Sequence, residues 1–343
     1  MSEFTEVLIT AIESDDESRI HELLRDHPEL KTHTTETFGR PVNLVSYAAR
    51  NHKSLAVRSL LKAGCEVNDP DSNPFAFTTI EIMELLYSSG GVVERAAKGY
   101  HPIQAACEDL DTGKLKWLLD HGANPSNADH PLELVTHTYS RNENQKAMAD
   151  LLISGGIESE DTPVMDMHRG RLDLIREKVR SRPSLITDRF DNLATDIYPV
   201  GGSWGGASLH RTSLLHACVE FGELEAVQLA VDLGADLDAR GEPDGDGFGN
   251  QTPIFHAVTS FQNVSFPVLE WLISKGADLS ATANLRVPPF WSDMDRGDVL
   301  MENVTPLGYA LAYPNYHYRS EYREPTSPFQ NVVDLLRSHG AAE

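Results

Sequence analysis

A short phrase that ends in glycine recurs along the chain and restricts its fold more than any other feature. Each copy places apolar residues, usually a pair with leucine, a few positions before the glycine. The apolar pair lies on one face of a helix, and glycine carries no Cβ penalty in the left-handed conformation that ends helices. The copies end at Gly64, Gly90, Gly122, Gly155, Gly234, Gly276 and Gly340. Recurrent helix ends predict an architecture of repeated helical units.

A second phrase precedes several of these helix ends. It begins at Thr212, Thr252 and Thr305, with weaker copies that begin at Asn43 and His101. The threonine is a helix-capping residue, and a proline in the first helical turn sacrifices no hydrogen bond. The small alanine that closes the phrase lets the next helix approach. Together, the two phrases predict pairs of helices.

In these phrases the chain resembles the ankyrin-repeat family, whose unit reads Thr-Pro-Leu-His, then Ala, a second helix and Gly-Ala-Asp. Residues 122–124, 234–236 and 276–278 match that ending. Several helix ends also lie close to the family's period of about 33 residues. The resemblance implies an all-α solenoid of about eight or nine helix pairs with long inter-repeat loops. Stacked neighbours in such a solenoid bury one continuous core.

The strength of the match varies and divides the chain into three regions. Residues 1–100 hold degenerate repeats, with Thr5 to Leu30 expected as a capping helix pair. Residues 101–186 carry ankyrin-like repeats, and residues 187–343 carry further repeats separated by long insertions. The poorest match, near residues 67–100, predicts a break in the superhelix.

The enlarged connections lie in the C-terminal region, at residues 187–211, 238–251, 280–300 and 313–328. Loops longer than about 12–15 residues are usually functional or disordered. Their aromatic and charged residues are Trp204, Phe248, Phe290, Trp291, Asp244, Asp246, Asp293, Asp295 and Arg296. This set suits a sugar-like polar ligand or a basic peptide. The alternative is that the aromatic residues anchor the loops to the helices and that short hairpins form within them.

One position of the second phrase holds side chains suited to acid–base chemistry. It is occupied by His216, His256 and Tyr309, and in the weaker copies by Tyr47 and Ala105. The resemblance implies that equivalent positions line a concave face about 10 Å apart, so the first three would form a row. The residues one turn later are Glu220, Ser260 and Tyr313.

Histidine and tyrosine beside carboxylates are the groups that general acid–base catalysis uses. In ankyrin repeats, however, the histidine of this phrase usually bonds backbone groups of the adjacent turn. A structural role for the two histidines is therefore the alternative to a catalytic one.

Charge and cysteine content exclude several functions. The formal net charge of -23 predicts that the chain binds neither nucleic acid nor an anionic membrane surface. Cys65, Cys107 and Cys218 are widely spaced, which predicts reduced thiols in a cytoplasmic protein. The N-terminus lacks the pattern of a signal peptide, and no apolar run approaches the ~20 residues of a membrane span.

Two short segments resemble binding motifs for calcium or phosphate but lack residues that those motifs require. The twelfth position counted from Asp244 is Phe255, where a calcium-binding EF-hand requires glutamate. Residues 201–206 are glycine-rich but lack the lysine and the Ser/Thr ending of a phosphate-binding loop. We expect no metal and no cofactor.

Two functions follow from these observations. The first is a recognition protein that binds a partner protein through a concave face and long loops, and the acidic charge favours a basic partner. The second is an acid–base hydrolase or lyase, with a carbohydrate as the leading substrate class. Its catalytic groups would be His216, His256 and Tyr309.

Overall fold

Helices dominate the computed structural model. It describes residues 3–37, 39–69, 71–94, 101–136, 144–190, 207–260, 263–287, 298–317 and 330–343. Seventeen α-helices and four short strands lie within these residues. The predicted all-α class is confirmed in its coarse form, since the described chain is mostly helical. The ankyrin-type stacking stays a prediction.

The described helices belong to two compact units, the first ending at Glu158 and the second beginning at Ser159. The predicted boundaries after residues 100 and 186 follow the type of repeat and stay predictions. The first unit contains α1 (Glu3–Glu13), α2 (Glu17–Asp26), α3 (Leu44–Arg50), α4 (Ser54–Lys62), α5 (Ile80–Ser88), α6 (Pro102–Glu108), α7 (Thr112–Asp120), α8 (Pro131–Thr136) and α9 (Asn144–Ser154).

Within the first unit, α1 packs on α2, α3 on α4, α6 on α7 and α8 on α9. No first helix directly precedes α5 in the described residues: residues 74–77 form a turn where the repeat would place one, and α5 packs on α4 and α7. The weak match near residues 67–100 coincides with this missing helix. A hairpin of β1 (Thr34–Thr37) and β2 (Arg40–Asn43) precedes α3.

The second unit contains α10 (Pro163–His168), α11 (Leu172–Ser181), α12 (Leu214–Glu220), α13 (Leu224–Asp232), α14 (Pro253–Ala257), α15 (Phe266–Ser274), α16 (Pro306–His317) and α17 (Gln330–Ser338). Each even-numbered helix packs on the next odd-numbered one. In addition, α12 contacts α10 and α14, and α14 contacts α16. A hairpin of β3 (Ala283–Val287) and β4 (Val299–Val304) precedes α16.

Short polar side chains begin several of these helices by accepting a hydrogen bond from a first-turn backbone N–H. Asp16, Asn43, Asp111 and Thr162 do so at α2, α3, α7 and α10. The role predicted for threonine differs among the three strong phrases. Ser213, not Thr212, caps α12; Thr252 makes no side-chain cap bond; and Thr305 Oγ1 accepts from Gly308 N at 3.1 Å.

The predicted glycines end their helices with one exception. Six of the seven have positive φ, the conformation that favours glycine. In the remaining phrase the left-handed residue is Gly156 (φ 108°), so the prediction at Gly155 is wrong by one position. A Cβ at Gly155 would lie 3.2 Å from both Leu119 Cδ2 and Leu151 O, which is a tighter contact than side chains usually make.

The predicted insertions contain ordered elements. The β3–β4 hairpin flanks residues 288–297, and Phe190 forms a bridge with Thr212 across residues 191–206; both of these segments lie outside the described residues. The predicted extra length at 313–328 is wrong at its start, since α16 continues to His317.

Candidate functional site

The predicted row of catalytic residues lies in the core of the second unit. Helices α12, α14 and α16 carry His216, His256 and Tyr309, and all three side chains have 0% exposure. The alanines that follow His216 and His256 are equally buried where the helices meet, as their small size predicts. The row therefore does not line an open groove among the described residues.

His216 is held at both ring nitrogens. Its Nδ1 lies 2.8 Å from Ser213 Oγ and also accepts from Ser213 N at 3.3 Å. Its Nε2 donates to the backbone oxygen of Gln251 at 3.1 Å. Burial, together with the nearby His256, holds the pKa of His216 well below its ordinary value. The ring is neutral and its hydrogen-bonding capacity is used, which is the structural role.

His256 has a different environment. Its Nδ1 donates to Glu220 Oε2 at 2.8 Å, and the two side chains are 0% and 4% exposed. Its Nε2 is buried and has no hydrogen-bond partner. When Nδ1 carries the proton of a neutral imidazole, Nε2 presents a lone pair. A carboxylate that orients a histidine in this way is the arrangement of a general base or of a hydrogen-bond acceptor for a ligand.

Tyr309 and Ser260 have structural contacts. The Tyr309 ring lies 6.2 Å from that of Phe255, and burial raises the pKa of the Tyr309 hydroxyl. Ser260 Oγ accepts from Ser265 N at 3.0 Å, and Ser265 Oγ donates to Val219 O at 2.8 Å. These bonds tie the connection after α14 to the end of α12.

The other predicted site residues are not brought to this cluster. Tyr47 belongs to the first unit, where its hydroxyl donates to Glu13 Oε1 at 2.7 Å. Burial and that bond raise the pKa of Tyr47 to about 12. Tyr313 lies on α16, but its side chain is outside the description. Also outside the described residues are Trp204, Phe290, Trp291, Asp293, Asp295 and Arg296.

The loop at residues 238–251 is anchored to β3. Arg286 bonds Asp244 at 3.1 Å and Asp246 at 2.7 Å, and its guanidinium lies 5.0 Å from the centroid of the Phe248 ring. Gly249 and Asn284 exchange backbone hydrogen bonds beside them. These contacts support the anchoring alternative for Phe248 and its neighbouring carboxylates.

An aromatic cluster in the first unit was not predicted. Trp117 stacks on His121 with 3.8 Å between ring centroids, and Tyr87 meets both rings edge-on. Tyr87 lies on α5, and the other two lie on or just after α7. The signal was the spacing of Trp117 and His121, which are four residues apart and share one helix face. The repeat phrases drew attention to the first helices of the pairs, whereas these residues belong to second helices.

Comparisons with known proteins do not assign this chain: no protein-family model matches it and no curated protein matches it. Among the described residues, no group of three or more His, Cys, Asp or Glu side chains is arranged to hold a metal ion. No helix in the described ranges has the length and apolar character needed to cross a membrane.

Proposed function

We propose that this chain is a recognition protein of the ankyrin-repeat type, which binds a partner protein through the faces of its helix pairs and its enlarged loops. The observation that carries the proposal is the burial of His216, which uses both ring nitrogens for internal bonds. At this position of the phrase, the histidine that was a catalytic candidate is used for internal hydrogen bonds. Binding would then use the side chains on the exposed surfaces of the helices.

Charge defines the class of partner. The formal net charge of -23 favours a basic protein surface and opposes nucleic acid. The three cysteines are free and buried, the state that a reducing compartment maintains, so we propose that binding takes place in the cytoplasm.

The proposal is tested by capture on the full chain. The immobilised protein is exposed to a lysate of the cells that make it, and bound proteins are eluted with rising salt and identified by mass spectrometry. We expect a basic protein that is released as salt screens the contact. An unrelated acidic protein of similar net charge is the control, and retention no greater than on this control would contradict the proposal.

A second candidate function rests on His256. An unpartnered buried nitrogen costs about 1–3 kcal/mol relative to a bonded one, so its presence calls for an explanation. We propose as this alternative that Glu220 and His256 act as an oriented base toward a hydroxyl-bearing ligand, in a hydrolase or lyase reaction. When Nδ1 donates to the carboxylate and Nε2 carries a lone pair, Nε2 would accept the hydrogen of such a hydroxyl.

Imidazole NMR tests this alternative. Long-range ¹H–¹⁵N spectra report the protonation of each ring nitrogen, and the His256→Asn variant assigns the signals. Titration with a panel of monosaccharides and polyols is expected to shift the Nε2 resonance of His256 for at least one member. If no member of the panel shifts that resonance, the alternative is contradicted and recognition is the proposed function that remains.

A further inference from the structure

Exposed apolar side chains are concentrated in one part of the first unit. Of the six large hydrophobic side chains that are exposed in the described chain, four lie between residues 55 and 92. They are Leu55 on α4, Ile80 and Tyr87 on α5, and Val92 just after α5. Helix α5 packs against both α4 and α7. Scattered exposed leucines need no explanation, whereas a concentration on adjacent helices marks an interaction surface.

A stripe along α5 forms the centre of this surface. Ile80, Glu84 and Tyr87 are exposed, and their spacing of four and then three residues places them on one face of the helix. Two apolar side chains thus flank a carboxylate over two helical turns. This arrangement complements a helix with apolar residues at the same spacing and a cation between them.

The aromatic cluster beside the stripe is held rigid by internal bonds. Trp117 Nε1 donates to Glu84 Oε1 at 2.6 Å, and His121 Nδ1 donates to Trp117 O at 2.7 Å. Phe75 stacks on Trp117 with 6.0 Å between ring centroids. Tyr87 is 46% exposed against this support. Rigid tyrosine and tryptophan side chains lose little entropy on binding and dominate interface energies.

Charge selects the occupant. Glu81 and Glu84 are exposed on α5, while Asp120 on α7 is paired with Lys116. A second copy of this chain would bring another net charge of -23, so self-association through this face is opposed. A partner with lysine or arginine between its apolar residues is favoured by the same field.

We infer that the face formed by Ile80, Glu84, Tyr87 and His121 docks a basic amphipathic helix of a partner protein. The apolar residues of that helix pack on Ile80 and Tyr87, and its Lys or Arg side chain pairs with Glu84. This inference rests on the proposed recognition function and names the surface and the partner chemistry.

The probe is a phage-displayed library of helical peptides, selected on the full chain. We expect the selected helices to carry Lys or Arg between apolar residues at the spacing of the stripe. Hydrogen exchange should show protection of α5 and α7 when a selected peptide is bound. Analytical ultracentrifugation of the chain alone is expected to show no dimer that depends on Tyr87.

Matched variants locate the site. Tyr87→Ala should weaken binding of the selected peptide at least about tenfold, as for a central interface aromatic residue. Phe4→Ala is the control, since Phe4 is an equally exposed aromatic residue of the same unit, on α1. Glu84→Gln keeps an acceptor for Trp117 and should reduce both affinity and its salt dependence. The matched control is Glu6→Gln, because Glu6 is an exposed glutamate on α1, away from α5. This variant should change neither the affinity nor its salt dependence.

The outcomes separate this inference from the function on which it rests. Selected peptides that protect other elements, or that bind both Tyr87→Ala and Glu84→Gln at full strength, would overturn the docking site. Recovery of no peptide, or a dimer lost in Tyr87→Ala, would overturn it as well. In each case the capture experiment on the full chain still decides the recognition function, because a partner retained equally by Tyr87→Ala binds elsewhere.

Discussion

Helices α12 and α14 begin with closely similar phrases, yet their histidines have different partners. The first phrase has Ser213 where the second has Pro253. Ser213 offers a hydroxyl and a backbone N–H to Nδ1 of His216, whereas proline has neither group. His256 therefore turns its Nδ1 to Glu220 at the end of α12.

The Nε2 atoms of the two histidines also differ in their hydrogen-bond partners, because the residue ahead of the next phrase differs. That of His216 bonds Gln251 O, the backbone oxygen just ahead of the next phrase. The equivalent residue after His256 is Val304, the last residue of β4, which is paired with Ala283. One repeat thus has a fully bonded structural histidine, and the next has a buried imidazole with an unused nitrogen. A shared phrase does not define a shared role, because the partners come from neighbouring repeats.

The largest expected effect tests whether the two helices are equivalent apart from their histidines. Ala217→Asp and Ala257→Asp each place a carboxylate at a fully buried position. Each should destabilise the protein by about 3–5 kcal/mol, because the charge is unpaired. Chemical denaturation measures the loss. Near-normal stability of either variant would mean that its helix can move apart from its neighbours.

Substitutions that mimic one ring nitrogen at a time show which nitrogen of each histidine is used. Asparagine replaces the Nδ1 side of a histidine, and glutamine replaces the Nε2 side. Both substitutions at His216 should cost about 1–3 kcal/mol, because each leaves a partner unsatisfied. His256→Asn should cost less than His256→Gln, because the one bond at stake, to Glu220, lies on the Nδ1 side, which asparagine can replace and glutamine cannot. Equal costs for the two His256 variants would contradict this assignment.

The pH dependence of stability should distinguish the wild type from His216→Gln. The native pKa of His216 lies well below its ordinary value because the ring is buried. Below about pH 6.5 the unfolded chain binds a proton there that the native chain does not, so stability falls with falling pH. The contribution is at most about 1.4 kcal/mol per pH unit and is absent above that range. Denaturation between about pH 5 and pH 8 measures it; an unchanged slope in His216→Gln would show that this ring does not contribute.

The smallest effect on stability is expected from Pro253→Ser, which gives α14 the capping group of α12. The introduced hydroxyl should draw Nδ1 of His256 away from Glu220, because it reproduces the contact that Ser213 makes with His216. The net change in unfolding free energy should be within about 1 kcal/mol, because the serine hydroxyl and N–H give Nδ1 new bonds that offset the one lost from Glu220. The reporter is the ¹⁵N resonance of Nδ1, which should change from a protonated to an unprotonated position. Retention of the original resonance would show that Glu220, not the missing serine, directs the ring.

The two repeat phrases predicted the helices and most of their ends from local chemistry. Apolar spacing, capping side chains and left-handed glycines act within a few residues, so their effects can be read along the chain. The error at Gly155 arose where two glycines are adjacent, since either can adopt positive φ and the repeated phrase does not distinguish them. The helical extension past Tyr313 to His317 was missed, because the extra length between Gly276 and Gly340 was assigned from residue 313 onward.

For the candidate site, the sequence predicted which residue types could take part but not where their side chains would lie. The histidine row was expected to face a groove, whereas the described structure buries it. Burial depends on which neighbouring helix covers a side chain, and a spacing rule within one repeat does not contain that information. The aromatic face of α5 and α7 was missed for the same reason, since Tyr87 and Trp117 are thirty residues apart in the chain and meet only through helix packing.

Local patterns along the chain were enough to predict the helical class and the positions of most helices, and composition gave the strong negative charge. The sequence also contained the Ser213 to Pro253 difference, whose consequence follows from elementary hydrogen-bond chemistry. Tertiary structure alone decided that His216 reaches Gln251, that His256 reaches Glu220 and that its Nε2 has no partner. These pairings join residues about 35 positions apart, and their energies depend on distances that only the packing of whole helices establishes.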